Sequence, residues 1–571
     1  MIPEPWRREP AAVRREEWMW VGAWAVLMVL VCFVPIWFGY ALAADGWTFT
    51  GLHAGALNDY QSYMAWIRQA EDGHLLFVDK FTSEPHRRVI FHPLFWLIGS
   101  LARWTSAPVI GVWYLFQGLG VALLVLAIYR FAAEFTDSPA TRVLALVLAT
   151  TSAGLGWLFP GADQPSVVQR PIDLWQEEAF GLRAICSSFF TLTLALALML
   201  LVAVSMLRYF RSGRLRHAAA AGAIALLLAT VHPYDLVTLY AVLGVWTLDA
   251  GRRRWPGMIV LVALSAPYLL YGFLAIRLDP VLSRIVWVME MPPVSAYAIG
   301  WGLPLALSVL GLLLPTVWRE NRHVRLLLAW LAVQLLLLLV PLEFRRKLNL
   351  GLHVILSLLA AMTIRTLAAW MTARVVEDSR RRTVAGAAVA LPLVALMAVG
   401  SFHLLLFQLR DRTFGRFLPV ELVEALRELD ERSGEEDVVL AGPALAGFVP
   451  GWAGATSFWG HWAQTVDIEG KVDLARRLLA PDGAIDPDAA ARALAGHRIR
   501  WVVLDAASAA MGAGAGQPSI APAAGGEPWP LPVERLPVAP FTRPVFENAR
   551  AVILEVLPEL LQPSPSASPA A

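Results

Sequence analysis

The feature that most constrains the fold of this chain is a succession of long apolar runs, separated by short segments rich in arginine. Of the 571 residues, 57% are hydrophobic and only 16% are charged. A helix that crosses a bilayer needs roughly 20 apolar residues. The pattern therefore predicts an integral membrane protein that is mainly α-helical.

The apolar runs predict about eleven membrane-spanning helices, since each is close to the length that crosses a bilayer. The first run follows a charged N-terminus and is too long for the core of a signal peptide, so we expect an uncleaved helix. The shorter run 92–104 is expected to form an interfacial or re-entrant helix. The predicted spans lie near residues 18–40, 109–131, 143–159, 185–206, 217–231, 236–250, 257–275, 300–317, 324–341, 350–370 and 384–407.

Arginine clusters between the runs predict the orientation of the chain. With about eleven spans, every loop on the N-terminal side is basic, which the positive-inside rule associates with the cytoplasm. Counting 92–104 as a full span would move the loops RYFRSGRLRH and GRRRW to the opposite side. We therefore expect residues 1–17 in the cytoplasm and the loops 41–108 and 160–184 outside.

The composition changes near residue 410. Beyond it, EDVVLAG and RIRWVVLD are typical of buried strands, and PVELVEALRELDERSG and DLARRLLA are typical of helices. The predicted organisation is a transmembrane domain over 18–409, a small extracytoplasmic α/β domain over 410–557 and a disordered tail over 558–571. GAGAGQPSIAPAAGGEP is expected to be an irregular loop.

Charge and cysteine content exclude two classes of site. The net charge is +2, and the 47 lysine and arginine residues fall in separate clusters, so they form no basic face for nucleic acid. The only cysteines are Cys32 and Cys186. A disulfide framework and a thiolate metal site are therefore excluded.

The stretch ALNDYQSYMAWIRQA places Asp59 and Tyr60 shortly after the first span. It predicts a helix that lies on the membrane, with Tyr63, Trp66 and Ile67 toward lipid or protein. In one interpretation Asp59 is the N-cap of this helix, because aspartate is a preferred capping residue. In the other, Asp59 is a functional carboxylate on the outer face.

The second outer loop carries Asp173, Glu177 and Glu178 shortly before a span begins. On a helix, Asp173 and Glu177 would share a face and Glu178 would point aside. Acidic loop residues are usually solvated charges. Their functional interpretation depends on reaching the same side of the membrane as Asp59.

In TVHPYDL, His232 and Asp235 lie where one apolar run ends and the next begins, with Pro233 breaking the helix between them. Ionisable residues at such depth are costly and suggest a site. The alternative is a tight turn capped by Asp235.

The segment EFRRKLNLG places Arg345, Arg346 and Lys347 on the outer side, against the charge bias of the other loops. Three cations beside a span could hold a lipid phosphate, since guanidinium groups form paired hydrogen bonds with phosphate oxygens. The alternative is snorkelling of the side chains to the headgroups.

In the outer domain, SFWGHWAQTVDIEGK contains Trp459, His461, Trp462 and Asp467, a mixture suited to stacking on sugar rings. Aromatic residues beside a histidine are more often part of a core and its edge. This segment is a weak candidate for an acceptor site.

Together these segments resemble the GT-C class of membrane glycosyltransferases, which includes protein O-mannosyltransferases, aminoarabinose transferases and oligosaccharyltransferases. The likeness covers about residues 18–410 and lies in ALNDYQSY, FHPLFWLIG and DLWQEEAF. GLGWLF, HPYD and FRRKLNLGLHVILSLLAA are also similar to segments of bacterial members. The resemblance implies a GT-C-like fold in a bacterial inner membrane.

The resemblance also implies roles for individual residues. The family's catalytic carboxylate in the first outer loop corresponds to Asp59, and its acidic position in the second outer loop to Glu177 or Glu178. Its phosphate-binding cations correspond to Arg345 and Arg346. Further candidates for substrate binding are Tyr60, His92, Asp173, His232, Asp235 and Lys347.

The chain departs from the oligosaccharyltransferase pattern in two ways. Its outer domain has no WWD-like motif, and its first outer loop has a single aspartate after Asn58. The sequence therefore lacks part of the pattern with which oligosaccharyltransferases recognise a peptide sequon and bind an obligatory metal. Asp59 and Glu178 could still hold an optional Mg²⁺ or Mn²⁺, because hard cations prefer oxygen ligands.

Members of this class move a sugar from a polyprenyl-phosphate carrier to an acceptor outside the cytoplasm. The implied reaction is inverting transfer, with Asp59 as general base and the cations at 345–347 on the departing phosphate. The expected partners are the sugar donor, membrane lipids and an acceptor that is lipid, glycan or protein. The alternatives are a lipid or glycan transporter without catalysis, and a scaffold that binds envelope polymers.

Overall fold

The structure is a computed structural model, and it describes residues 9–53, 55, 57–160, 166–186, 190–285, 289–321, 323–373, 378–479, 485–505, 508 and 533–561. The predicted irregular loop GAGAGQPSIAPAAGGEP lies outside the described residues, as does most of the predicted tail. The first residues of that tail are an exception. Pro558–Leu561 form a short helix, so disorder from residue 558 onward was wrong at its start.

Helices dominate the described chain, and the strands are short. The strands are β1 (Trp47–Phe49), β2 (Phe417–Pro419), β3 (Val438–Ala441), β4 (Thr456–Ser457), β5 (Ile499–Asp505), β6 (Thr542–Glu547) and β7 (Ala551–Val556). The α-helices are α1 (Arg15–Ala41), α2 (Leu57–Glu71), α3 (Pro93–Thr105), α4 (Val109–Phe135), α5 (Pro139–Thr151), α6 (Gly181–Ile185), α7 (Phe190–Ser212), α8 (Leu215–Val231), α9 (Asp235–Ala250), α10 (Trp255–Leu278), α11 (Val294–Leu312), α12 (Pro315–Glu320), α13 (Val324–Leu337), α14 (Leu352–Ala373), α15 (Ser379–Arg410), α16 (Val420–Arg432), α17 (Val449–Trp452), α18 (Ile468–Leu479), α19 (Pro487–Gly496) and α20 (Pro558–Leu561).

Each predicted span overlaps a helix, which confirms a multi-pass membrane protein. Within the described residues, seven helical segments are long and apolar enough to cross a bilayer by themselves, and α5, α8 and α13 are shorter apolar helices. The remaining predicted span corresponds to α9, which has 16 residues. The helices that overlap the predicted spans are α1, α4, α5, α7, α8, α9, α10, α11, α13, α14 and α15.

The predicted span 143–159 was misplaced. The helix there, α5, begins at Pro139 because the Ser138 side chain accepts a hydrogen bond from the backbone N–H of Thr141. It ends at Thr151, and the apolar residues Gly156–Leu158 form a 3₁₀ turn instead. An apolar run marks burial, but the cap and the turn set where the helix begins and ends.

The described chain forms two compact units by its contacts. The first comprises Met1–Phe38, Trp113–Tyr271 and Val288–Asp411, and contains most of the apolar helices. The second comprises Gly39–Val112, Gly272–Trp287 and Arg412–Ala571.

The predicted transmembrane domain over 18–409 included the loop 41–108, whereas the contacts place that loop with the C-terminal part. The reason is pairing that sequence patterns do not reveal. Strand β1 pairs with β2 in antiparallel register, and α2 packs on α17.

The core of the second unit is a five-stranded sheet in the order β4-β3-β5-β7-β6. Strand β3 runs parallel to β4 and β5, whereas β7 runs antiparallel to β5 and β6. All four residues of β3 are buried, as EDVVLAG predicts. The predicted helices are α16 and α18, so a small α/β fold at the C-terminus is confirmed.

Helices α2 and α3 of the second unit approach each other closely at Gly99. The run 92–104, predicted to be interfacial or re-entrant, forms α3. A methyl group on Gly99 would lie 2.3 Å from the carbonyl oxygen of Ile67 and 2.6 Å from Cβ of Ala70. The packing of α2, which carries Asp59, therefore requires glycine at this position.

We expect Gly99→Ala to lower the melting temperature of the purified protein, because overpacking of this kind costs about 1–3 kcal/mol. The matched control is Gly111→Ala in α4, where the added methyl group would meet no atom within 4 Å. The control should melt at or slightly above the wild-type temperature, since alanine favours helices. Equal melting temperatures for the two variants would contradict this packing.

Candidate active site

The second predicted outer loop folds into two 3₁₀ turns, Ile172–Leu174 and Glu177–Ala179, before α6. Between them the backbone of Gln176 is extended, with φ −91° and ψ 112°. Asp173 and Glu177 therefore do not share a helical face, and that prediction was wrong. The spacing argument holds only for a continuous helix.

Asp173 is buried, and its side chain connects this loop to the segment that follows α5 through a hydrogen bond. Its Oδ2 accepts a hydrogen bond from the backbone N–H of Gly156 at 3.0 Å. Burial raises the pKa of Asp173 to about 6, although the Gly156 amide and the charge of Arg183 act in the opposite direction. Binding of substrate by Asp173 stays a prediction.

The perturbed carboxyl of Asp173 makes the stability of the protein depend on pH. An unfolded aspartate has a pKa of about 3.9, so the folded state holds this proton more tightly. The stabilisation is complete below about pH 4 and is lost as the pH rises through about 6. It amounts to at most about 3 kcal/mol.

Asp173→Asn removes this titration. We expect the melting temperature of the variant, relative to that of the wild type, to rise as the pH is raised from about 4 to about 7. The measurement is thermal unfolding of both proteins in one detergent across that range. A difference that stays constant with pH would show that Asp173 does not titrate there.

Arg183 in α6 lies among the acidic residues of the loop, and sequence reasoning missed it. Its guanidinium nitrogen lies 3.9 Å from Oε1 of Glu177. The charges of Asp173 and Glu178 also act on it. Only 13% of the Arg183 side chain is exposed, so the acidic cluster is partly neutralised from within. The only signal was an arginine in GLRAI, directly before a span.

The helix break at Pro233 forms as predicted, because α8 ends at Val231 and α9 begins at Asp235. A hydrogen bond of 2.9 Å joins His232 Nδ1 to Asp235 Oδ2. The N-cap of α9 is Tyr234, and no side chain caps it. The tight turn of the alternative interpretation does form, since the backbone N–H of Asp235 donates to the carbonyl oxygen of His232 at 3.4 Å, but Asp235 is not the N-cap of the helix.

The basic triplet begins a 3₁₀ turn, Arg345–Asn349, that contacts both neighbouring loops. The Arg346 guanidinium lies 5.0 Å from the ring centroid of Trp175. The Lys347 ammonium lies 4.7 Å from the ring centroid of Tyr234. These cation–π contacts hold the turn against the second loop on one side and the helix break on the other.

Further contacts confirm that three separate parts of the first unit meet. Gln176 Nε2 donates a hydrogen bond of 3.1 Å to the carbonyl oxygen of Arg346. The charges of Glu178 and Lys347 both act on Asp235. Those of Glu178, Arg345 and Arg346 act on the hydroxyl of Tyr297 in α11. We call this group of acidic and basic side chains the charged cluster of the first unit, with members Glu177, Glu178, Arg183, His232, Asp235, Arg345, Arg346 and Lys347.

Asp59 belongs to the second unit, where α2 positions it. The helix begins at Leu57, so Asp59 lies inside the first turn and is not the N-cap. An acidic residue there is stabilised by the helix dipole. Its side chain is 41% exposed, and Oδ1 lies 3.5 Å from Nε2 of His461.

His461, singled out above as part of a weak acceptor-site candidate, orients toward Asp59. Its Nδ1 accepts a hydrogen bond from the backbone N–H of Ala463 at 3.1 Å. The proton of the neutral imidazole is therefore on Nε2, the atom that faces the carboxylate. Phe81 and Trp462 lie against the ring, at 5.4 and 6.1 Å between centroids.

The other candidates in the second unit are packed in aromatic surroundings. Tyr60 is 1% exposed. His92 precedes α3 and stacks on Phe95 and Trp66, with ring centroids 4.0 and 5.7 Å away. Burial lowers the pKa of His92 to about 3, so the ring is neutral. Ile67, which was predicted to face lipid or protein, is also buried. Substrate binding by Tyr60 and His92 stays a prediction.

The predicted divalent cation has no ready-made site in the part of the chain that the structure describes. No group of three or more His, Cys, Asp or Glu side chains there could hold a metal ion. Beside Asp59 lies the imidazole of His461, with 3.5 Å between Nε2 and Oδ1. Coordination by Asp59 and Glu178 stays a prediction.

Comparison with known proteins gives a similar fold but no similar sequence. No protein-family model matches the chain. No curated protein matches its sequence either.

Several solved membrane enzymes have a similar structure. The archaeal oligosaccharyltransferase AglB from Archaeoglobus fulgidus, in complex with an inhibitory peptide and a dolichol-phosphate, is 13% identical, with a TM-score of 0.50 over 86% of this chain and 70% of that one. ArnT from Cupriavidus metallidurans is 14% identical, with a TM-score of 0.51 over 95% and 99%. The arabinofuranosyltransferase AftD from Mycobacteria is 16% identical, with a TM-score of 0.53 over 96% and 40%. The chain is therefore a multi-pass membrane protein with the fold of the GT-C glycosyltransferases.

Proposed function

We propose that this protein is a membrane glycosyltransferase. It moves a sugar from a polyprenyl-phosphate-linked donor to an acceptor on the extracytoplasmic side of a bacterial inner membrane. The observation that carries the proposal is the charged cluster of the first unit, in which Arg346 and Lys347 of one turn contact Trp175 and Tyr234, aromatic residues that stand beside acidic residues in two other parts of the chain. The GT-C fold supports the same conclusion.

The turn Arg345–Asn349 binds the phosphate of the donor. Adjacent cations offset the charge of a phosphate that leaves with an additional negative charge. The Nε of Arg346 is buried and has no hydrogen-bond partner among the described residues. A phosphate oxygen would satisfy that donor, because guanidinium groups bind phosphate through several N–H groups at once.

Asp59 acts as the general base. It accepts the proton of the acceptor hydroxyl as the hydroxyl oxygen bonds to the anomeric carbon and the phosphate departs with the electron pair of the broken bond. Attack opposite the leaving group inverts the configuration of the sugar. The His461 imidazole, whose Nε2 lies 3.5 Å from Oδ1, positions this carboxylate. Glu177 or Glu178 positions the acceptor.

A divalent cation would add charge neutralisation at the phosphate when bound. Carboxylate oxygens are the ligands that Mg²⁺ and Mn²⁺ prefer. The described residues offer no cluster of three such ligands, so we derive no step through a metal.

The test is transfer of sugar by the purified protein in lipid, using a panel of radiolabelled polyprenyl-phosphate sugars with lipid, glycan and peptide acceptors. The expected result is a radiolabelled product that depends on both donor and acceptor. A protein that moves the intact donor across the bilayer and forms no product with any acceptor would instead be a transporter, and the proposal would fail.

A further inference from the structure

A cavity of about 50 Å³ lies inside the second unit, beside the Asp59–His461 pair. Asn58 and Gln61 of α2 line one side of it, and Gly460 lines another. Asn58 directly precedes Asp59, and Gly460 directly precedes His461.

The position of the cavity in the sheet is one where ligands commonly bind. The residues 443–448 follow β3, and 459–460 follow β4, at the carboxyl ends of two parallel strands. Loops at that edge of a parallel sheet diverge and leave a crevice. The sheet alone therefore accounts for an opening at this place.

Gln61 supplies a buried amide to the wall of the cavity. The residue is 2% exposed, and neither its Nε2 nor its Oε1 has a hydrogen-bond partner among the described residues. A buried amide left unsatisfied costs about 1–3 kcal/mol for each polar group. An amide that lines a cavity and supplies one donor and one acceptor matches a hydroxyl group, which also donates and accepts.

The lining also excludes charged ligands. None of its residues has an ionisable side chain, so a phosphate or carboxylate would be desolvated there without compensation. Apart from Asn58 and Gln61, the wall consists of small, apolar and aromatic residues, among them Trp459, whose indole N–H donates to the carbonyl oxygen of Ala441. The cavity is larger than the roughly 10–15 Å³ that one water molecule needs, so it has room for a hydroxyl-bearing arm of a sugar.

We propose that this cavity is a subsite for an uncharged, hydroxyl-bearing group of a saccharide acceptor, held by the amide of Gln61. The inference rests on the proposed function for its place beside Asp59. It adds the class of acceptor, which is a neutral glycan, and a residue that binds it.

The test is binding of uncharged methyl pentosides and methyl hexosides to the full-length protein in detergent, measured by saturation-transfer NMR without donor. Methyl phosphate, whose methyl protons this experiment detects, serves as the charged probe. The expected result is saturable binding of at least one glycoside, with an affinity that falls roughly tenfold or more in Gln61→Leu, and a methyl phosphate signal that Gln61→Leu leaves unchanged. Leucine has a similar volume and removes an unsatisfied amide, so the variant should fold with unchanged or higher stability.

The matched control is Gln464→Leu. Gln464 belongs to the same unit, and its Oε1 is also buried with no hydrogen-bond partner in the part of the chain that the structure describes, but the residue does not line the cavity. The glycoside affinity of Gln464→Leu should equal that of the wild type. A second variant, Gly447→Ala, narrows the cavity. The added methyl group has room, because the nearest atom, the carbonyl oxygen of Gly460, would lie 3.4 Å away. Gly447→Ala should also weaken the binding of glycosides.

The outcomes separate the subsite from the reaction. If the wild type transfers sugar but its glycoside binding is indifferent to Gln61→Leu, the cavity holds only water and the inference is wrong. If glycosides bind through Gln61 but no donor supports transfer, the subsite stands and the proposed function fails. Equal losses of glycoside affinity in Gln61→Leu and Gln464→Leu would also contradict the proposed subsite.

Discussion

Replacing Asp59 with asparagine is expected to lower the rate of sugar transfer by about 10²- to 10⁴-fold, which is the usual contribution of a general base. Asparagine has nearly the same shape, but it cannot accept the proton of the acceptor hydroxyl. The measurement is the initial rate of transfer at saturating donor. The donor KM should change little, because Asp59 acts on the acceptor.

The control for this variant is Asp72→Asn. Asp72 follows the same helix, and its carboxylate forms an exposed ion pair with Arg68 at 3.2 Å. We expect wild-type rates and melting temperature, since exposed pairs contribute little. Transfer by Asp59→Asn at the wild-type rate, with the fold retained, would remove Asp59 from the active site.

Arg346→Ala is expected to raise the KM for the donor by roughly 10- to 100-fold, because hydrogen bonds to charged groups are worth about 1.5–3 kcal/mol. Arg346→Lys should recover only part of this loss, since an ammonium group lacks the planar fork that binds two phosphate oxygens. The measurement is the transfer rate as a function of donor concentration.

Arg325→Ala provides the comparison for Arg346. Arg325 also belongs to the first unit, and its side chain forms an exposed ion pair with Asp249 at 3.0 Å. The donor KM of this variant should match that of the wild type. Equal effects in Arg325→Ala and Arg346→Ala would mean that net charge, and not the turn beside Trp175, decides donor affinity.

The membrane helices could be predicted from sequence because each satisfies its backbone hydrogen bonds within one segment. A local run of apolar residues therefore identifies a span, and every predicted run contains a helix. The misplacement at 143–159 arose at the ends of the helix. There, the Ser138 cap and the turn Gly156–Leu158 decide the limits, and neither changes the apolar pattern.

The candidate site could be predicted only in part. The motifs identified Arg346, Lys347 and Asp235 by their unusual charge beside apolar runs. They did not identify Arg183, whose role depends on burial among acidic side chains. They also suggested a helical face for the second loop, which the hydrogen bond from Gly156 to Asp173 and the extended Gln176 preclude.

The sequence by itself determined that this is an integral membrane protein, the approximate positions of its apolar helices, and the strands β3 and β5 of its C-terminal sheet, because hydrophobic burial acts on local patterns that can be read along the chain. Only the tertiary structure decided that Arg346 lies on Trp175, and that His461 faces Asp59. These contacts join residues far apart in the chain, and they form through packing of shapes and charges that no local periodicity encodes.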